Sequence, residues 1–374
     1  MYNGKGVSIL DASTGALMET VERQVALRAD LPLESASVRE LECGRVAIVD
    51  PRSFNHKRRK TYSEDVSYLW TNAYDLVDDE QVKIPAALAG FGPRYLGSGS
   101  PFIGNSSNGL ASGNCFEEAV CHALCELIER DAFTLADLRS QWVPRAIREA
   151  VFGAVAGAVG GDDVSACPMV NLKSAGQPIE ELQERFERAG LRPIVRDITS
   201  DLGICCAVAS VCDDSVQGFP LAHCGLGAHP NARIAVTRAL TELAQSRATD
   251  IQGAREDIVA AGAPAHSSAR HMQRIQEIEP RRWLLQDSGP VRQFSDLPSV
   301  ENEDIAEDIK LILASLRGAG MDRVLVIDLD GPALFPVVRV MVPGLEFWSL
   351  EGGAIGWRAL EFWKRHINWS PDKS

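Results

Sequence analysis

Acidic side chains recur on one side of a predicted helix that spans about residues 116–138. The polar stripe consists of Glu118, His122, Glu126 and Glu129, which recur at helical spacing. The preceding stretch, "GFGPRYLGSGSPFIGNSSNGLASGN", favours an irregular loop with accessible amide donors. Amides of residues 104–114 can hold a polyphosphate, which Mg²⁺ can link to Glu126 and Glu129. An acidic stripe alone is more typical of a solvated helix face, so the loop is what favours a magnesium-nucleotide site.

Two further stretches carry polar groups of the same kind. A second long helix is predicted for residues 232–251, where Arg238, Glu242 and Gln245 share one face and Arg247 lies roughly opposite. Near the carboxyl end, "FPVVRVMVPGLE" predicts a buried strand with Arg339 and a Pro-Gly turn with Glu346. The chain contains neither GxxxxGK[ST] nor a strand-GxGxxG-helix unit, so a Walker loop and a Rossmann fingerprint are both excluded.

The elements that must position these residues predict a mixed α/β fold. "RPIVRDITSDLGICCAVASV" and "RVLVIDLDGPALFPVVRVMV" each read as a strand, a polar turn at an aspartate (Asp197 or Asp328) and a second strand. They are consistent with hairpins in related halves of one sheet, and equally with a coincidence of ordinary strand patterns. "HCGLGAHP" favours a tight turn over a general base from His223 or His229. The "GGDD" stretch at 160–163 and the small-residue stretch at 260–268 predict connections.

Composition limits the possible partners and locations. The formal net charge of -13 argues against nonspecific binding to nucleic acid or to an anionic membrane. The amino terminus lacks the pattern of a signal peptide, and no apolar run reaches the ~18 residues of a membrane span. Nine cysteines in apolar runs, without a CxxC pair, indicate reduced thiols in a cytoplasmic protein. Cys115, Cys121 and Cys125 are expected to be buried, and a redox pair of Cys205 and Cys206 is not expected.

Four stretches together resemble the YcaO family, whose members use ATP and Mg²⁺ to activate a backbone amide of a peptide. They are "SSNGLASGN", "HALCELIERDA", "RALTELAQSR" followed by "GARED", and "FPVVRVMVPGLE". They occur in the family's order and cover roughly residues 45–350. The resemblance implies an amino-terminal segment, 1–44, and a YcaO domain, 45–374, with sheets flanked by long helices and an internal pseudo-repeat.

The resemblance also implies a set of site residues. The implied nucleotide-binding residues are Ser107, Asn108, His122, Glu126, Glu129, Glu242, Gln245, Arg247, Arg339 and Glu346. The implied magnesium ligands are Glu126, Glu129, Glu242 and Gln245, and the implied catalytic residues are Glu126, Glu129 and Arg339. His122 stands where the family usually has a serine, and Arg247 and Arg339 are expected to face phosphate.

The carboxyl end favours one subtype over another. Many azoline-forming members end in a PxPxP tail, whereas this chain ends "WKRHINWSPDKS". The amino-acid sequences of the first two motifs are more similar to those of members that form thioamides with a TfuA partner. The resemblance therefore implies a peptide or protein substrate, a TfuA-like partner and a sulfide donor. Azoline formation at Cys, Ser or Thr and a noncatalytic nucleotide-dependent scaffold are the alternatives. Tryptophans near the carboxyl end are expected to cover the core or a homodimer surface.

Overall fold

The structure is a computed structural model. It describes residues 3–54, 62–95, 106–140, 167–213, 221–251, 279–331, 334–347, 350 and 355–366. Two compact units are present. The six-stranded unit comprises Ala16–Asp131 and Asn302–Arg358, and the five-stranded unit comprises Met1–Gly15, Ala132–Glu301 and Ala359–Ser374. The predicted connections at 160–163 and 260–268, and the "GARED" motif, lie outside the described residues. The predicted boundary between residues 44 and 45 stays a prediction.

The described residues form eight α-helices and eleven strands. The helices are α1 (Ile9–Arg28), α2 (Val38–Cys43), α3 (Ala86–Ala89), α4 (Phe116–Ser140), α5 (Ile179–Arg188), α6 (Ala232–Ile251), α7 (Ile305–Gly318) and α8 (Trp357–His366). The strands are β1 (Glu34–Ala36), β2 (Tyr68–Asp75), β3 (Glu80–Pro85), β4 (Leu110–Ser112), β5 (Met169–Asn171), β6 (Ile194–Asp197), β7 (Cys206–Asp213), β8 (Leu221–Ala228), β9 (Val291–Gln293), β10 (Leu325–Asp328) and β11 (Val337–Met341). Within the described ranges, no helix has the length and apolar character needed to cross a membrane.

The sheet of the six-stranded unit is antiparallel, with the order β1-β2-β10-β11-β4 and with β3 also paired to β2. Strand β11 is buried along its whole length, and Arg339 lies in it opposite Leu110 of β4. Aliphatic residues of β2, β3, β10 and β11 pack with the end of α1 in one apolar cluster. Burial of this apolar surface drives the packing, and it fixes the strand that carries Arg339 beside the loop before α4.

The sheet of the five-stranded unit has the order β8-β7-β6-β5-β9, in which only β5 and β9 run parallel. Helices α5 and α6 pack on one face through alternate residues of β6 and β7. Helix α6 approaches β8 so closely that a Cβ on Gly225 would lie 2.1 Å from the amide nitrogen of Leu243, and one on Gly227 would lie 2.0 Å from the carbonyl oxygen of Ala235. Glycine is required at both positions, because any side chain would push the helix away from the strand.

These contacts correct one sequence interpretation. The "HCGLGAHP" stretch is not a tight turn, because all but its last two residues belong to β8, which is followed by α6. Its glycines serve helix-strand packing and not backbone turning. His223 is buried within β8, and His229 accepts a 2.9 Å hydrogen bond at Nδ1 from the amide of Asn231, just before α6.

The two predicted hairpins are confirmed as β6-β7 and β10-β11. In each, the aspartate that ends the first strand accepts a hydrogen bond from the amide two residues later, Thr199 at 2.9 Å and Asp330 at 3.0 Å. Each second strand also pairs with the strand that leads into a long helix, β4 before α4 and β8 before α6. This recurrence supports the pseudo-repeat. Placement in halves of one sheet was wrong, because the hairpins belong to two sheets.

The predictions for the long helices and thiols are largely confirmed. Helix α4 begins at the predicted residue, and α6 has the predicted bounds. No disulfide joins the nine cysteines, and Cys121 and Cys125 are buried as expected. Cys115 is exposed, contrary to expectation, because it precedes α4 and does not lie on the buried side of that helix.

Candidate functional site

The loop before α4 meets the acidic stripe, as the sequence predicts. The amide of Gly109 donates a 3.2 Å hydrogen bond to Oε2 of Glu126, and its carbonyl accepts one of 2.7 Å from the amide of Val340. Gly109 has a φ of 76°, and a Cβ there would lie 2.2 Å from the carbonyl oxygen of Val340. Only glycine fits this conformation so close to β11, so the loop has a defined path and directs an amide at the stripe.

The acidic stripe passes from solvent into the protein along α4. His122 is exposed. The side chain of Glu126 is 21% exposed and that of Glu129 is 4% exposed. Arg130 lies 3.6 Å from a carboxylate oxygen of Glu126 and 4.0 Å from one of Glu129. The two inner carboxylates are therefore partly removed from water, where a cation is held more strongly than at an open surface.

Glu118, at the outer end of the stripe, stabilises the helix start. Its Oε2 accepts hydrogen bonds of 2.9 Å from both the backbone and the side-chain amide of Asn114. A carboxylate in the first turn is also favoured by the helix dipole. These contacts place Asn114 at the start of α4.

Glu22 on α1 is a component that the sequence reasoning missed. Its Oε1 accepts hydrogen bonds from the hydroxyl of Ser112 at 2.8 Å and from the amide of Ser112 at 3.0 Å. Burial, with a smaller contribution from the charges of Glu126 and Glu19, raises the pKa of Glu22 to about 7 against the opposing effect of the hydrogen bonds from Ser112. A signal was present in the sequence, because "ETVER" at 19–23 has the same ExxER pattern as "ELIER" at 126–130.

Arg339 lies beside the loop that carries Ser107 and Asn108. Arg339 donates a 2.7 Å hydrogen bond to the carbonyl of Ser106 and one of 3.5 Å to that of Leu88. A cavity of about 120 Å³ adjoins these residues and is lined by Ser106, Asn108, Arg339, Leu127 and the Pro343-Gly344 turn. Arg339 thus anchors the loop through backbone carbonyls. Its contact with phosphate stays a prediction.

Glu346 is fully buried within the six-stranded unit. Its carboxylate accepts a 3.0 Å hydrogen bond from the amide of Gly356, and its own amide donates one of 3.0 Å to Asp131. Both carboxylate oxygens of Asp131 also accept hydrogen bonds of 2.9 to 3.2 Å from the guanidinium group of Arg358. These contacts fix the start of α8 against α4. A nucleotide contact by Glu346 stays a prediction.

In the five-stranded unit, Glu242 lies at the outer edge of β8. Its Oε1 accepts a 3.2 Å hydrogen bond from the amide of Leu226, and its Oε2 forms an ion pair with Lys5. Gln245 donates a hydrogen bond to the carbonyl of Asn3. The amino-terminal "NGKG" segment therefore lies along the polar face of α6. Sequence reasoning missed Lys5.

Arg247 faces away from this group. It forms a 2.7 Å ion pair with Asp213, whose side chain is completely buried. This agrees with the helical phase, which places Arg247 roughly opposite Glu242 and Gln245. Arg238, one turn before Glu242, has a buried Nε without a hydrogen-bond partner among the described residues. The phosphate contact of Arg247 stays a prediction.

The predicted residues thus form two groups, one in each unit. Ser107, Asn108, His122, Glu126, Glu129, Arg339 and Glu346 belong to the six-stranded unit, and Glu242, Gln245 and Arg247 to the five-stranded unit. The approach of both groups to one magnesium ion stays a prediction.

The donor chemistry in each group fits Mg²⁺, which prefers carboxylate and amide oxygens together with phosphate and water. In the six-stranded unit, burial is the main cause of the raised pKa of Glu22, and the charge of Glu126 also raises it, so these two carboxylates lie close enough to repel one another. A divalent cation would relieve this repulsion. In the five-stranded unit, the Lys5 ammonium on Glu242 shows that this carboxylate accepts a cation.

Comparison with known proteins identifies the class. A family model described as YcaO cyclodehydratase, ATP- and Mg²⁺-binding, matches residues 3–346. The chain belongs to the YcaO family, which is ATP- and Mg²⁺-binding.

Two relatives align over nearly the whole chain. A protein of Methanothermobacter thermautotrophicus is 33% identical over 363 residues, covering 96% of this chain and 85% of that protein. A protein of Rhizobium leguminosarum bv. trifolii, described as lying in the tfuA 3' region, is 33% identical over 354 residues, covering 92% of this chain and 77% of that protein.

Solved structures share the fold. A heterocyclase in complex with substrate and cofactor has a TM-score of 0.73 at 24% identity, and the match covers 95% of this chain and 46% of that protein. This chain therefore spans about half the length of that heterocyclase. YcaO from Methanopyrus kandleri, bound with AMPPCP and Mg²⁺, has a TM-score of 0.65 at 23% identity, and the match covers 94% of this chain and 81% of that protein. The mixed α/β fold with two sheets and eight helices in its described part is thus a YcaO fold.

Proposed function

We propose that this protein uses Mg²⁺-ATP to activate a backbone amide of a ribosomally made peptide or protein and converts it into a thioamide with a TfuA-like partner. The observation that carries the proposal is the loop amide of Gly109 directed at Glu126, within a group of carboxylates whose mutual repulsion favours a cation. A polyphosphate and a divalent metal suit such a pairing of amides with acids.

The chemistry requires positioning more than covalent catalysis. Attack of sulfide on the amide carbonyl gives a tetrahedral oxyanion. When bound, Mg²⁺-ATP supplies the phosphoryl group that turns this oxygen into a good leaving group, so that C=S remains. The chain's own residues offset the charge and hold the reacting groups in line.

Each residue then has a defined role. Glu126 and Glu129, with the newly found Glu22, would hold Mg²⁺ in the six-stranded unit, and Glu242 and Gln245 would hold it in the five-stranded unit. Lys5, which forms an ion pair with Glu242, would be available to contact phosphate if a metal ion replaced it on that carboxylate. Arg339 keeps the loop amides aimed at the phosphates by anchoring the carbonyl of Ser106.

One observation supports thioamide formation: a relative of the same family lies in a tfuA 3' region. The TfuA-like partner and the external sulfide source belong to the proposal, as do the homodimer and the cytoplasmic location. Azoline formation remains the second candidate, because the matching family model is described as a cyclodehydratase.

Mass spectrometry of the peptide tests the reaction. With partner, sulfide, ATP and Mg²⁺, exchange of oxygen for sulfur raises the peptide mass by about 16 Da, whereas ring closure lowers it by about 18 Da. Glu126→Gln should abolish the mass change, and Glu117→Gln, a matched change at an exposed position of the same helix, should not. A dehydrated product would favour azoline formation. An unmodified peptide, despite verified ATP and partner binding, would favour a noncatalytic scaffold.

A further inference from the structure

The cavity of about 120 Å³ beside Arg339 has a mostly apolar wall, and all of that wall belongs to the six-stranded unit. The wall includes Leu88 of α3, Leu127 of α4 and Met341 of β11. Asn108 and Arg339 supply polar groups to it. An apolar wall with a few polar groups is typical of a site that binds an organic group and fixes its orientation.

Asn108 carries a polar group that the protein does not satisfy by itself. The residue is 5% exposed, and its Oδ1 is buried without a hydrogen-bond partner among the residues that the structure describes. Its backbone amide, by contrast, donates a 2.9 Å hydrogen bond to the hydroxyl of Ser106. A buried amide oxygen without a partner destabilises the folded protein. A ligand in the cavity would supply the missing donor.

The volume of the cavity limits what it can hold. An apolar protein cavity of about 150 Å³ binds benzene. A cavity of about 120 Å³ therefore suits a branched aliphatic side chain, such as that of leucine or isoleucine. A purine base is larger than benzene and does not fit inside, so the size of the cavity favours a side chain over the adenine of ATP.

The cavity adjoins the residues that the proposed function assigns to Mg²⁺-ATP. Asn108 precedes Gly109, whose amide donates a hydrogen bond to Glu126, and Leu127 follows Glu126 on α4. Consecutive Cα atoms are about 3.8 Å apart, so on both segments the cavity wall and the acidic stripe are one residue apart. A peptide with one side chain in the cavity therefore has its backbone beside the acidic stripe.

We propose that this cavity binds one branched apolar side chain of the substrate peptide, next to the amide that is activated, and that Oδ1 of Asn108 accepts a hydrogen bond from a backbone N–H of the same peptide. Burial of the side chain supplies affinity, and the hydrogen bond fixes the orientation of the backbone. The substrate is therefore a peptide with leucine, isoleucine or valine beside the modified amide. The role of this side chain in the amide exchange rests on the proposed function.

Binding of small peptide analogues to the full-length protein tests the cavity. The probe is N-acetyl-leucine methylamide, and saturation-transfer NMR measures its binding without ATP, Mg²⁺, partner or sulfide. It should bind at least tenfold more tightly than the glycine and tryptophan analogues, because glycine leaves the cavity empty and tryptophan does not fit. Equal binding of the three analogues, or binding by none of them, would overturn the proposal.

Two substitutions test the apolar wall and the polar group separately. Leu88 is half-buried, and Leu88→Phe adds volume to the wall and should lower the affinity for the leucine analogue at least tenfold. Leu17→Phe, a matched change at a position that is 68% exposed, should leave it unchanged. Asn108→Leu should lower the affinity at least tenfold and raise the melting temperature of the free protein, because an apolar group of similar size replaces the unpaired amide. A lower melting temperature would show that the amide is needed for the fold and would refute its role in binding.

The outcome can be separated from that of the proposed function. Glu126→Gln should lose affinity for Mg²⁺-ATP and keep its affinity for the leucine analogue. In the complete reaction, a peptide with glycine in place of the apolar residues beside the modified amide should show a kcat/KM at least tenfold lower. An unchanged kcat/KM would refute the role of the cavity and leave the thioamide reaction intact. Selective binding of the leucine analogue without any thioamide product would refute the proposed function alone.

Discussion

Replacement of Glu22 by glutamine should make the protein more stable at neutral and alkaline pH. The pKa of Glu22 is raised from 4.5 to about 7, mainly by burial. Below pH 4.5 the carboxyl group is protonated in both the folded and the unfolded chain, so it contributes no difference. As pH rises from 4.5 to about 7, the unfolded chain loses the proton first, and the free energy of unfolding falls. Above about pH 7 the carboxyl group is ionised in both states, and the free energy of unfolding falls no further on its account.

The size of the effect follows from the two pKa values. The difference between 4.5 and about 7 corresponds to about 3 kcal/mol at about 1.4 kcal/mol per pH unit. Glutamine can still accept both hydrogen bonds from Ser112 through its amide oxygen, but it cannot ionise. Glu22→Gln should therefore exceed the wild type by about 3 kcal/mol at pH 8 and equal it at pH 4.5.

Urea unfolding followed by tryptophan fluorescence, without Mg²⁺ and at several pH values between 4.5 and 8, measures this difference. Glu184→Gln is the matched control, because Glu184 is exposed on α5 and its substitution should give no pH-dependent change. A constant difference between wild type and Glu22→Gln across this pH range would refute the reasoning. With saturating Mg²⁺-ATP, the advantage of the variant should shrink, because the wild-type carboxylate then gains a cation.

Three further substitutions test the site and its support. Glu126→Gln should weaken Mg²⁺-ATP binding by about tenfold or more, or at least 1.4 kcal/mol, measured by calorimetry with circular dichroism to confirm the fold; unchanged affinity would contradict the assigned role. Asp131→Asn leaves the buried Arg358 guanidinium without its carboxylate and should cost about 3–5 kcal/mol in urea unfolding; a cost below about 1 kcal/mol would show that the pair is not buried in solution. Gly225→Ala places a Cβ 2.1 Å from the amide of Leu243 and should destabilise the protein by about 1–3 kcal/mol or more, visible as a lower melting temperature; an unchanged melting temperature would contradict the close packing of α6 on β8.

The sequence alone predicted the two long helices, the two hairpins and the class of protein. Helical spacing predicted α4 and α6, because an apolar face repeats every 3.6 residues whatever the partner. The strand-aspartate-strand pattern predicted both hairpins, because a short polar turn brings consecutive strands together. Four separated motifs indicated the family, which the family model then confirmed over residues 3–346.

Only the tertiary structure shows which residues from distant parts of the chain come into contact. The proximity of Glu22 to Glu126 joins segments far apart in the chain, and it depends on how α1 packs beside β4 and α4. The ion pair between Lys5 and Glu242 likewise joins segments that are far apart in the chain. The glycines of "HCGLGAHP" were misinterpreted because a glycine that allows a helix to approach a strand has the same local sequence as one that allows a turn. Which of these two roles a glycine has depends on the segment that packs against it, and the order of residues along the chain does not specify that segment.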